Sequence, residues 1–152
     1  MTYLLDTNVI SALASTKAQR SDALVHWLDE ASRGLYLSVV TAAEIRAGVA
    51  KASREGAARK ATTLTDWWET IEHLYGDRIL PFDLRAARIA GTLIDAARNA
   101  GHSPSFADVA IAATAQANSL TILTQNTRHF EPLGGFTLNP FDALPRAVLI
   151  RE

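Results

Sequence analysis

The feature that most constrains this chain is a series of short apolar runs set apart by segments of helical character: Tyr3-Leu4-Leu5, Leu35 to Val40, Ile79 to Phe82, Leu120 to Thr124 and Phe136 to Leu138. Each run has strand length and is rich in Leu, Ile, Val or aromatic residues. A hairpin closes with a few residues, whereas parallel neighbours need a dozen or more between them, usually as a helix. All but the last gap are long enough for such crossovers. The chain therefore reads as an α/β domain in which a mainly parallel central sheet carries helices on both faces.

The gaps supply the helices. Asp6-Thr7-Asn8 closes the first run with turn and cap residues, and Val9 to Leu13 follows as helix. Within residues 21–32, Leu24, Trp27, Leu28 and Ala31 recur at helical spacing, with Asp22, His26, Asp29 and Arg33 on the outer face. Thr41 closes the second strand, a helix runs from Ala42 to about Ser53, and residues 54–75 form the second arm of a helical hairpin. Pro81 stops helix propagation, Asp83 caps a helix from Leu84 to about Ala100, and Gly101 ends it in the C′ position. Ser105 starts a further helix from Phe106 to Ala117. No repeat, low-complexity tract or linker interrupts residues 1–152, which are read as a single domain.

Composition narrows the function. A chain of 152 residues with 48% hydrophobic and 20% charged residues can bury roughly 70% of its extended-chain surface without staples. Fifteen Lys and Arg against sixteen Asp and Glu leave a formal charge of −1, which excludes a histone-like grip on nucleic acid over the whole surface. A nucleic-acid site would have to be local. The absence of cysteine excludes disulfides, thiolate metal sites and a cysteine nucleophile. The first residues lack a basic leader pattern, and no apolar run approaches the ~20 residues that span a bilayer. The expectation is a soluble, cytoplasmic protein without a membrane segment.

Open parallel sheets bind ligands beyond the carboxyl ends of their strands, and three acids fall there. Asp6 ends the first strand, Glu44 is expected in the first turn of the helix after the second, and Asp108 in the first turn of the helix before Leu120 to Thr124. Thr41-x-x-Glu44 and Ser105-x-x-Asp108 also fit capping boxes, and Asp6 fits a turn residue. Two observations favour more than capping. Phe106 to Ala115 is apolar almost all round with Asp108 as its only charge, and Glu44 is the only charge between Val39 and Ile45. Two ionised carboxylates ~5 Å apart repel by roughly 3 kcal/mol at an effective dielectric of about 20. Convergent acids must then protonate or share a divalent cation, and hard oxygen donors select Mg2+ or Mn2+ over zinc.

The ordered segments Leu4-Leu5-Asp6-Thr7-Asn8-Val9-Ile10, Thr41-Ala42-Ala43-Glu44-Ile45-Arg46-Ala47-Gly48, Phe106-Ala107-Asp108-Val109-Ala110-Ile111-Ala112-Ala113-Thr114-Ala115, Leu120-Thr121-Ile122-Leu123-Thr124-Gln125-Asn126 and Asn139-Pro140-Phe141 resemble the motifs of PIN-domain proteins. Within that family they look most like the VapC or FitB-like ribonuclease toxins of toxin–antitoxin pairs, over about residues 2–142. The resemblance implies a three-layer α/β/α sandwich, a Mg2+- or Mn2+-dependent endoribonuclease acting on RNA, a homodimer and inhibition by a small VapB-type antitoxin. It assigns Asp6, Glu44 and Asp108 to catalysis and metal binding, with Thr7, Asn8, Thr124 and Asn126 in support. Families of this kind often carry a fourth acid where Asn126 or His129 stands here, so one firmly held ion is expected. Arg46 and Arg98 are the leading candidates for RNA contact, with Lys51, His102, Arg128 and His129 behind them.

Two other readings fit parts of the pattern. An aspartyl-phosphate phosphatase would need an acid two residues after Asp6, where Asn8 stands. A catalytically weak PIN fold acting as a binding or regulatory partner is the alternative that the missing fourth acid suggests. Trp67 and Trp68 point ~100° apart on a helix, so either both rings pack in the hairpin or one faces a groove for a second subunit or an antitoxin segment. The apolar stretch from Ala143 to Ile150 lies beyond the motifs.

Overall fold

The computed structural model describes residues 1–14 and 21–146; residues 147–150 of the apolar C-terminal stretch lie outside them. The elements are β1 (Tyr3–Leu5), α1 (Thr7–Ile10), α2 (Asp22–Glu30), β2 (Leu35–Ser38), α3 (Val39–Arg54), α4 (Ala58–Tyr75), β3 (Ile79–Leu80), α5 (Leu84–Asn99), α6 (Phe106–Ala117), β4 (Thr121–Leu123), α7 (Thr127–Phe130) and β5 (Thr137–Leu138). The five strands lie in the order β3-β2-β1-β4-β5, and every neighbouring pair is parallel. Tyr3 stands opposite Leu35 on one side and Thr121 on the other.

Strand alternation builds the layers. Tyr3 and Leu5 join Leu35, Leu37 and Leu123 beneath Trp27, Leu28, Ile45 and Trp68 on one face. Leu4 and Ile122 face the other way, against Ala90, Ala97, Val109, Ile111 and Phe130. Because β1 is covered on both sides, all three of its residues are apolar and buried, as a central strand of a parallel sheet requires. The sheet order reverses between β1 and β4, which leaves a crevice at their carboxyl ends. The Asp6 N–H closes the base of that crevice by donating to the Leu123 carbonyl at 2.9 Å.

One boundary differs from the sequence expectation in a way that matters. β2 stops at Ser38, not Val40, and α3 starts at Val39. The hydroxyl of fully buried Ser38 accepts from the Val40 N–H at 3.0 Å, satisfying one of the otherwise unpaired donors of the helix start. This cap and the packing of α3 override the strand preference of two adjacent valines. Glu44 therefore lies in the second turn, and the Thr41-x-x-Glu44 capping box does not form. β3 and β4 are likewise shorter than expected.

The other helix signals act as read. The Ser105 hydroxyl caps α6 by accepting from the Asp108 N–H at 3.2 Å. Gly101 ends α5 at φ +85°, while its N–H donates to Arg98 and that of His102 donates to Ala97, the paired bonds of a Schellman ending. α3 and α4 form the hairpin, with Trp68 fully buried and Trp67 half-buried.

Candidate acidic site at the carboxyl edge of the sheet

Asp6 is the first residue after β1 and only 7% exposed. Its Oδ1 accepts from the Thr7 N–H at 2.8 Å. Its Oδ2 accepts from the Thr124 hydroxyl at 2.7 Å and from the Asn8 amide at 3.2 Å. Thr124 is fully buried just beyond β4, and its oxygen in turn accepts the Asn126 N–H at 3.0 Å. The Asn8 side-chain Oδ1 accepts from the Gln125 N–H at 3.0 Å. One network thus ties the ends of β1 and β4 together across the switch point.

Burial pushes the Asp6 carboxyl above its ordinary pKa, and the nearby Asp108 charge adds to the effect. The Thr124 and Thr7 hydrogen bonds and His129 oppose it. Desolvation wins because these bonds offset only part of what the charge loses on leaving water.

Glu44 reaches the same edge from α3. Its Oε1 accepts from the Thr7 hydroxyl at 2.8 Å, and the Thr7 oxygen stands 3.0 Å from the hydroxyl of fully buried Thr41. Asp108 arrives from the first turn of α6. Its carboxylate does not bond back to the Ser105 N–H as a capping box would require; its Oδ2 lies 3.5 Å from His129 Nδ1. Asp6, Glu44 and Asp108 all line a cavity of about 980 Å³, together with Thr7, Asn8 and Asn126. Thr124 sits beneath its floor.

Three segments far apart in sequence therefore converge on one cavity, although the three carboxylates do not cluster at one point. Among the described residues no three His, Cys, Asp or Glu side chains form a ready-made ion cage. The donor set itself is carboxylate oxygen with neighbouring hydroxyl and amide oxygens, which suits a hard divalent cation such as Mg2+ or Mn2+. Asp6, Glu44 and Asp108 are the groups that would hold it.

The cation expectations divide. Arg128, His129 and His102 line the cavity. Arg46 does not, and pairs instead with Glu72 on α4 at 3.6 Å; Arg98 and Lys51 do not line it either. Ser11 lines it without having been anticipated, although its spacing of four residues from Thr7 is a helical signal for one shared face. A second, smaller groove of about 320 Å³ runs between α3 and α4 past Gly48, Leu64 and Trp67. It meets the acidic cavity at Thr7, Ser11 and Glu44.

Fold and site together define a parallel α/β protein with an acidic cavity at the topological switch point of its sheet. The chain belongs to the PIN-domain family, whose model matches residues 3–135. It is 39% identical over 140 residues to VapC ribonuclease Y4jK of Sinorhizobium fredii, covering 91% of this chain and 97% of that protein. It is 38% identical over 140 residues to Toxin FitB of Neisseria gonorrhoeae, at the same coverage. The crystal structure of FitAcB from Neisseria gonorrhoeae superposes with a TM-score of 0.80 at 37% identity, over 92% of this chain and 99% of that one. The expected α/β/α sandwich with its parallel sheet is borne out. No helix among the described residues is long and apolar enough to cross a membrane.

Proposed function

We propose that this chain is a Mg2+- or Mn2+-dependent endoribonuclease and the toxin of a toxin–antitoxin pair, acting in the cytoplasm as a homodimer that a small VapB-type antitoxin restrains. The convergence of Asp6, Glu44 and Asp108 on one cavity at the switch point carries the reading. The names of the relatives, VapC ribonuclease and Toxin FitB, support it. A divalent ion bound there would activate water and offset charge on the phosphoryl oxygens.

The chain's own residues divide the remaining work. Asp6 is fixed from three sides by Thr7, Asn8 and Thr124, so its orientation is set before any ligand arrives. Thr7 holds Glu44 toward the same space. Among the described residues the Asp108 carboxylate pairs only with His129, which leaves it lone pairs to accept a proton from the attacking water. Attack by water in line with the P–O3′ bond would break that bond, releasing the 3′-oxygen as a hydroxyl and leaving a 5′-phosphate on the other product.

The catalytically weak alternative rests on Asn126 and His129, which line the cavity at the two positions where the family resemblance implies a fourth acid. Cleavage of single-stranded RNA by the purified, antitoxin-free chain separates the two. Cutting in Mg2+ or Mn2+, its loss in EDTA, and its loss in Asp6→Asn and Asp108→Asn are expected. Variants that cut as fast as the parent would overturn the site.

A further inference from the structure

We infer that Arg128, and neither Arg46 nor Arg98, is the residue that positions an RNA phosphate over the acidic cavity. The inference rests on the ribonuclease reading and adds a direction to it. A polyanion entering a cavity walled by Asp6, Glu44 and Asp108 meets like charge. One divalent ion would still leave a single negative charge there. Among the described residues that line the cavity, Arg128 is the one permanent cation. It is exposed and makes no ion pair among the described residues.

The wall on which it stands gives the direction. Asp6 comes from the end of β1 and Glu44 from the second turn of α3, whereas Arg128 comes from α7, beyond β4. Its neighbour His129 is turned to Asp108, which leaves Arg128 as the side chain free to meet a phosphate. Exposed His102, on the turn before α6, lines the same cavity. A phosphodiester drawn to Arg128 lies with one side on the guanidinium and the other toward the carboxylates. The planar guanidinium can grip two phosphate oxygens at once and fix the orientation of the backbone. Arg128 acts by holding the substrate, and no proton moves through it.

The test is binding of a fluorescein-labelled single-stranded RNA to the full chain in Ca2+, followed by anisotropy across a salt series. Arg128→Ala should weaken binding about tenfold, as loss of a charge-assisted contact does. It should also make the slope of log K against log salt shallower by about 0.7. Arg128→Lys should restore the slope, and Arg88→Ala, on the exposed surface of α5, should change neither quantity. In cleavage assays Arg128→Ala should raise KM while keeping most of kcat, with unchanged Mn2+ affinity and thermal midpoint. Parent-like affinity and slope in a folded Arg128→Ala would overturn the inference, as would the same losses appearing in Arg46→Ala or Arg98→Ala instead. A parent that neither binds nor cuts RNA overturns the ribonuclease reading itself, whereas a parent that cuts beside an Arg128→Ala variant of equal KM removes the Arg128 assignment alone.

Discussion

Replacing Thr124 with valine removes one hydroxyl from the floor of the site and keeps the shape of the side chain. In the parent that hydroxyl donates to Asp6 Oδ2 at 2.7 Å and accepts from the Asn126 N–H at 3.0 Å, in surroundings closed to water. A hydrogen bond to a charged group contributes ~1.5–3 kcal/mol, and a neutral one about 1 kcal/mol. Asn126 is exposed, so water can replace its lost partner, and the net cost at neutral pH should be about 2–3 kcal/mol. For a domain of this length each kcal/mol shifts Tm by roughly 2–4 °C, which places the expected fall near ~4–12 °C. Thr114→Val is the matched control. Thr114 is just as buried, but its hydroxyl donates only to the Ala110 carbonyl within its own helix, and its loss should cost no more than about 1 kcal/mol.

The pH dependence makes the argument specific to Asp6. Its folded pKa is already raised above the unfolded value, so the penalty for burying its charge is complete above the folded pKa. It shrinks as pH falls through the interval between the two values, and vanishes below the unfolded one. Removing the Thr124 donor raises the folded pKa further, because that bond favours the ionised form. The stability gap between parent and Thr124→Val should therefore be widest near pH 7 and narrow toward pH 4, whereas the Thr114→Val gap should stay level. Equal, pH-independent losses in the two variants would refute the claim that the Thr124 hydrogen bond favours the ionised form of Asp6.

The remaining expectations concern the helix start and the ion. Ser38→Ala should cost about 1 kcal/mol in chemical denaturation through loss of the α3 cap, while Glu44→Gln should leave apo stability within about 0.5 kcal/mol because Glu44 is exposed and caps nothing. Mn2+ at a hundredfold excess over its Kd should add about 2.7 kcal/mol to parent stability. In a thermal-shift titration Asp108→Asn and Glu44→Gln should need more Mn2+ for the same rise, and Asn126→Asp should need less; parent-like titrations in all three variants would argue against an ion at this cavity.

The parallel sheet was legible because its signal is redundant: each strand run is closed by a turn residue, and each crossover carries its own cap or stop. Asp83, Gly101 and Ser105 act in the structure in the roles their sequence positions suggest, since a cap depends on atoms within one helical turn. The start of α3 was less legible for the converse reason. Val39 and Val40 carry a local strand preference, and the cap at Ser38 becomes decisive only once α3 packs against the rest of the fold. That shift of three residues changes what Glu44 is. In the first turn it would have been a partner of its own helix's backbone; in the second it has no orphan N–H to serve, and its nearest donor is Thr7, from a segment 37 residues away.

The charged rim shows the same division between local and tertiary information. Arg46 is a leading candidate for RNA contact by sequence, yet it stands two residues after Glu44, and two residues along a helix is a rotation of ~200° to the opposite face. It consequently meets Glu72 on α4 instead of the cavity. Arg128, one cation in a polar loop and a lesser candidate by sequence, gains its place because β4 pairs beside β1 and brings the following turn to the acids. Sequence therefore locates residues at strand ends, whose position follows from topology, whereas the position of those on the connecting turns needs the fold.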